Sequence, residues 1–160
     1  MFQIGDKVVH PMHGAGIIDD IVSERVGHTA QDYYVFKMPV GGLVLKIPTA
    51  KSQMVGLRDV VDTGEISQLM KDIPALAADM NSNWNHRYRE NMDRIKSGNL
   101  YEVARVIKGL KCREKQKGLS TGERKMLHTA KQILLSELVL VTGMDYGYFE
   151  EQINLAMVGR

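Results

Sequence analysis

Cysteine, tryptophan and long apolar runs are scarce in this 160-residue chain, and each scarcity narrows what the protein can be. The single cysteine, Cys112, has no partner for an internal disulfide and none for a cysteine-based zinc site, which fits a reducing compartment. No apolar stretch approaches the roughly 18 residues of a spanning helix, and residues 1–7 (MFQIGDK) lack the charged-then-apolar layout of a secretory signal. A soluble, cytoplasmic protein without a membrane partner is expected.

The sequence also lacks the constellations of common enzymes. His10 and His13 lie three apart with no third metal ligand nearby, so they read as part of a turn with Pro11 and Gly14. The segment Gly14-Ala15-Gly16 misses the remaining glycine of a dinucleotide loop, and Gly41-Gly42 misses the Lys-Ser/Thr of a phosphate loop. No nucleophile elbow or helical histidine pair gathers the Ser, Asp and His residues. Neither an enzymatic activity nor a metal or cofactor is expected.

What is present is 44% hydrophobic content, enough to bury a core, and a change of period partway along the chain. Up to about residue 60, short β-branched or aromatic runs alternate with Pro and Gly punctuation: Lys7–His10, Gly16–Val22, Asp32–Lys37, Leu43–Ile47 and Gln53–Leu57. Five such strands predict a small, strongly bent antiparallel sheet of the SH3-like or Tudor-like barrel type. From about residue 64 the period is helical. Glu65–Lys71 predicts a short helix ended by Pro74, and a linker-like stretch follows at about 72–82. After Trp84 three helices are bounded by Gly98, by Asn99 with Glu102 and Gly118, and by a Ser120/Glu123 capping box and Gly143; a last helix covers Tyr146–Met157. The fold class is therefore α+β in two domains, a small β-barrel at 1–62 and a compact all-α domain at 63–160.

Charge divides the same way. Residues 1–72 hold 7 Lys and Arg against 9 Asp and Glu, whereas residues 84–131 hold 13 against 5. An excess of that size in one segment attracts a polyanion. The sole tryptophan heads this segment, among Asn81, Ser82, Asn83 and Asn85, with Arg87 and Arg89 following. Trp84 and Tyr88, with Ile95 further along, could share a buried helical stripe; alternatively the indole is exposed, and an aromatic wedge flanked by cations is one way to distort a minor groove. Arg105, Lys108, Lys111, Arg113, Lys115 and Lys117 read as the solvated face of the second helix. Arg124 and Lys125 stand in the first turn of the third, where cations oppose the macrodipole and amides can meet a phosphate. No zinc finger, leucine zipper or RNP pattern is present, so binding should be backbone-directed and weakly sequence-specific.

Two sets of residues carry a family resemblance over essentially the whole chain. The run 8–14 (VVHPMHG) is one; 83–89 (NWNHRYR), 96–98 (KSG), 118–127 (GLSTGERKML) and 130–134 (AKQIL) in order form the other. The chain resembles the CarD/CdnL family of bacterial RNA polymerase-binding transcription regulators. That resemblance implies a Tudor-like module docking on the β-subunit lobe of RNA polymerase, and a helical domain touching promoter DNA. It also implies that Trp84 enters the minor groove at the upstream edge of the melted −10 region. The DNA-facing basic positions fall on Arg87, Arg89 and Lys125, with Arg124 beside them, and a neighbouring basic position is His86 here. On the docking side Lys46 holds a basic strand position, and a second falls at Glu24 or Arg25, of which Arg25 is taken as the docking residue. A monomer that stabilises the promoter open complex is the leading expectation. The other readings are a protein-interaction adaptor without direct DNA contact, which would bury Trp84, and a DNA-packaging protein, against which the modest net charge of +2 argues.

Overall fold

The computed structural model describes residues 1–157, so the end of the expected 63–160 helical segment, 158–160, lies outside the described residues. Five antiparallel strands come first: β1 (Lys7–His10), β2 (Gly14–Val26), β3 (Thr29–Lys37), β4 (Val44–Pro48) and β5 (Arg58–Asp59), in the sheet order β4-β3-β2-β1-β5. The β2–β3 hairpin is longer than the sequence pattern suggests, because its distal half, from about Ile21 to Thr29, is largely solvent-exposed and lacks the alternation that marks a half-buried strand. A register shift between Ile18 and Asp20 bulges β2 where it leaves the core. Gly16 permits the close approach there: a Cβ would lie 2.6 Å from the Lys37 carbonyl oxygen and 2.7 Å from the Phe36 ring.

One predicted strand is wrong. Residues 53–57 form no strand; Ser52–Val55 is a single helical turn, α1, ended by Gly56 in the left-handed region, and the fifth strand is β5 just beyond it. Gln53 and Met54 are exposed and Val55 is only partly buried against the sheet cluster, so the run lacks the alternating core face of a strand, and Leu57 is its one buried residue.

The helices follow as α2 (Thr63–Asp72), α3 (Trp84–Lys96), α4 (Leu100–Lys117), α5 (Thr121–Thr142) and α6 (Tyr146–Met157). Side-chain caps set most of their starts: Asp62 accepts from the Glu65 amide, Asn83 from His86, Asn99 from Tyr101 and Ser120 from Glu123. Ala130, Leu134 and Leu138 of the predicted α5 stripe are fully buried, and Leu127 and Val141 pack at its edge. They meet Val103, Val106, Ile107 and Leu110 of α4 and Phe149 and Ile153 of α6.

Two hydrophobic clusters result. One lies inside the sheet, from Val8, Ile18, Tyr34, Phe36, Met38, Ile47 and Leu57, and the other among the helices from Ile66 onward. Helix α5 joins them. Its Glu137, with 0% of the side chain exposed, receives both terminal nitrogens of Arg58 at 2.7 and 2.9 Å and the Val61 amide at 2.9 Å. The neighbouring Ser136 Oγ accepts the Ala15 amide at 2.9 Å and occupies the space that a side chain at Gly14 would need.

The linker-like stretch is tied down although it has little regular structure. Lys108, expected on the solvated face of α4, is 2% exposed and donates to the carbonyls of Ile73, Pro74 and Leu76 at 2.7–3.0 Å. Those carbonyls end a single 3-10 turn, Ile73–Ala75, and need donors once helices cover them. Met80 fills the notch left by Gly109, and its sulfur accepts from Asn91 Nδ2 at 3.6 Å.

Candidate nucleic-acid interface

The tethered chain delivers Trp84 to the first turn of α3. Asn83 caps that turn, and its own amide donates to Asn81 Oδ1 at 2.8 Å, so the entry is fixed on both sides. Trp84 is 43% exposed. It lies against Tyr88 with ring centroids 5.0 Å apart and planes within 20°, and Nε1–H donates to Ser120 Oγ at 3.2 Å. The first turns of α3 and α5 therefore meet at the indole.

Arg87 requires a correction. The sequence places it beside Trp84 as a phosphate anchor, but its side chain is 2% exposed and points into the protein. Nε donates to Glu123 Oε2 at 2.7 Å, and Nη1 donates to the carbonyls of Asn81 and Ser82 at 3.1 Å each. Residues 84 and 88 face the indole side of α3, while 87, 91 and 95 face the core. Three positions from Trp84 is already the buried face.

Glu123 is the acceptor that makes this burial tolerable. Burial alone would raise its pKa. The Arg87 hydrogen bond and charge, the Ser120 backbone and the Arg113 guanidinium at 3.9 Å outweigh that, and hold it below the usual carboxylate range. The carboxylate stays charged and also offsets the unfavourable cations beside it at the α5 N-terminus.

The remaining DNA-side candidates are exposed. His86 and Arg89 lie on the outer side of α3, and Arg124 and Lys125 project from the first turns of α5. Arg124 and Lys125 line an open concavity with Thr121, His128 and Thr129. A second is lined by Met12, Tyr88, Met92, Gly122 and Lys125 among others. The one sequence signal that marks His128 is its spacing of four from Arg124 on a helix. Ser120 was visible only as a cap, and nothing in the sequence ties it to a tryptophan 36 positions earlier.

The docking candidates lie on the sheet. Lys46 of β4 pairs with Glu24 of β2 across the intervening strand, at a half-exposed site, and Arg25 is exposed opposite Ala30 near the hairpin tip. Elsewhere, His10 behaves as a turn residue: its Nδ1 accepts the Met12 amide at 3.1 Å and its ring lies 4.5 Å from that of His13. Burial, and then the His13 charge, push its pKa down to about 4. Among the described residues no group of three or more His, Cys, Asp or Glu could hold a metal ion, and no helix is long and apolar enough to cross a membrane.

Comparison with known proteins adds an independent line. Residues 2–61 match the CarD-like/TRCF RID domain, and residues 68–154 match the C-terminal domain of CarD. The chain is 38% identical over 154 residues to YdeB of Bacillus subtilis (strain 168), a protein whose name describes it as a candidate transcription factor, with 96% of this chain and 98% of that one covered.

Proposed function

The chain belongs to the CarD family of transcription regulators, and from that premise we propose that it docks on the β subunit of RNA polymerase and prolongs the promoter open complex through Trp84. Residues 1–62 are the docking module, with Lys46 and Arg25 on the contacting surface, and the helical segment from residue 63 faces the DNA. The observation that carries the reading is the position of Trp84: 43% exposed, at the head of a helix, with His86, Arg89, Arg124 and Lys125 exposed on the two helices that meet there. The adaptor reading needs Trp84 in the core and loses that premise.

The physical logic is differential affinity. A protein that binds melted promoter DNA better than closed duplex shifts the equilibrium by the difference. An aromatic ring stacked on an unstacked base contributes on the order of 1–3 kcal/mol, or from about fivefold to about 160-fold in the open-to-closed ratio. Arg89, Arg124 and Lys125 supply phosphate contacts without sequence preference. Attachment to the polymerase raises the local concentration, so the DNA contact can be weak in isolation. The test is open-complex lifetime on purified polymerase with wild type and Trp84→Ala. The wild type should extend the lifetime and the variant should not; equal extension by both removes the stacking role.

A further inference from the structure

An indole has two faces, and here one is already occupied. Tyr88 covers it at a centroid distance of 5.0 Å with planes within 20°. Stacked bases repeat at about 3.4 Å, so a base between the two rings would need them about 6.8 Å apart. The N–H edge is held as well, because Nε1 donates to Ser120 Oγ at 3.2 Å. That hydroxyl is not free to swing: it accepts the Glu123 amide at 3.2 Å and lies 3.3 Å from Glu123 Oε1, to which it donates. Arg87, buried, clamps the same carboxylate. Gly122 lies beside the pair, where a Cβ would stand 3.7 Å from the indole and 3.8 Å from the Tyr88 ring.

We propose that Tyr88 and Ser120 are positioning residues that fix Trp84 as a one-faced stacking platform, which caps a single nucleobase at a junction of paired and unpaired DNA and does not enter between two stacked bases. The proposal rests on the stacking role given above. A held ring loses little rotational freedom on contact, so most of the stacking energy reaches the complex. A platform with one open face also has little to offer an uninterrupted duplex, in which every base is already covered on both sides.

A double-mutant cycle on open-complex lifetime tests this. Trp84→Phe keeps a ring but lacks the N–H, and Ser120→Ala removes its acceptor. Ser120→Ala alone should shorten the lifetime about threefold to tenfold, the scale of one net hydrogen bond. In the Trp84→Phe background it should have no further effect, and Ser120→Thr should retain the wild-type lifetime. Tyr88→Leu should also shorten the lifetime, and time-resolved anisotropy of the sole tryptophan should show faster indole motion in both Ser120→Ala and Tyr88→Leu. If Ser120→Ala costs as much in the Trp84→Phe background, the effect passes through the α5 cap and the proposal fails. If Trp84→Ala shortens the lifetime while Ser120→Ala and Tyr88→Leu do not, the stacking role stands and the positioning role is overturned. If Trp84→Ala itself changes nothing, both fall.

Discussion

Replacing Arg87 by alanine separates two pictures of the helical segment. As a surface phosphate anchor, Arg87 would contribute to DNA affinity and little to stability, and its loss would lower the salt slope of DNA binding by about 1. The structure gives the opposite expectation. Both partners of the Arg87–Glu123 pair are 2% exposed, so Arg87→Ala leaves a carboxylate buried without its main counter-charge and frees the Asn81 and Ser82 carbonyls. Breaking a pair of this kind costs about 3–5 kcal/mol, or roughly 10–15 °C in melting temperature for a chain of this size. Urea unfolding of Arg87→Ala, with the salt dependence of DNA binding measured alongside, should show a large fall in midpoint and an unchanged salt slope. The Arg87→Met, Glu123→Leu double variant should recover much of the loss, since it removes both charges together. An Arg87→Ala protein of wild-type stability with a shallower salt slope would refute the burial argument. The pair also predicts acid sensitivity. The folded pKa of Glu123 is held below its ordinary 4.5, so its stabilisation is complete above that value and is lost as pH falls through the folded value. Glu123→Gln should lack that part of the acid limb.

Other perturbations reach different parts of the molecule. Glu137→Ala should destabilise by about 2–4 kcal/mol in urea unfolding, somewhat less than for a wholly enclosed pair because Arg58 keeps partial access to water. Gly122→Ala should be tolerated and should raise the melting temperature, since its Cβ meets both rings at ordinary contact distance and alanine favours a helix by up to about 1 kcal/mol; a lower value would show that the space beside the two rings cannot take a methyl group. His10 has its folded pKa lowered from 6.5 to about 4, so the unfolded chain takes up the proton first and stability should decline as pH drops from 6.5 towards 4. His10→Gln, followed by thermal melts across that window, should flatten the decline.

The helix ends were legible in the sequence because capping is local chemistry. Asn99, Ser120 and Gly143 act within three or four residues of themselves, and the start of α4 and both ends of α5 follow. The exposure of Trp84 was open from spacing alone and is settled by Tyr88 and Ser120, the second of them distant in sequence. Arg87 and Lys108 were misplaced for one shared reason. A cation in a basic, polar run reads as solvated unless its partner is known, and here the counter-charge of Arg87, Glu123, and the carbonyls of Ile73, Pro74 and Leu76 that hold Lys108 are more than 30 positions away. The strand expected at 53–57 failed because an apolar run shorter than six residues cannot by itself distinguish a strand from a helical turn.

Helix α5 carries contacts of both kinds at once. Glu123, near its start, steadies the indole, and Glu137, 14 residues on, grips the sheet. At 1.5 Å per residue those carboxylates are about 21 Å apart along the axis, and 100° per residue brings them to within about 40° of the same side. The helix is thus a gauge block: its length and its winding both set where the aromatic tip stands relative to the sheet. One residue added between the two carboxylates would turn the tip by about 100°, whereas four would advance it about 6 Å and turn it only about 40°. If the sheet docks as proposed, the surface that holds it therefore also measures out the place on a neighbouring molecule that Trp84 can touch.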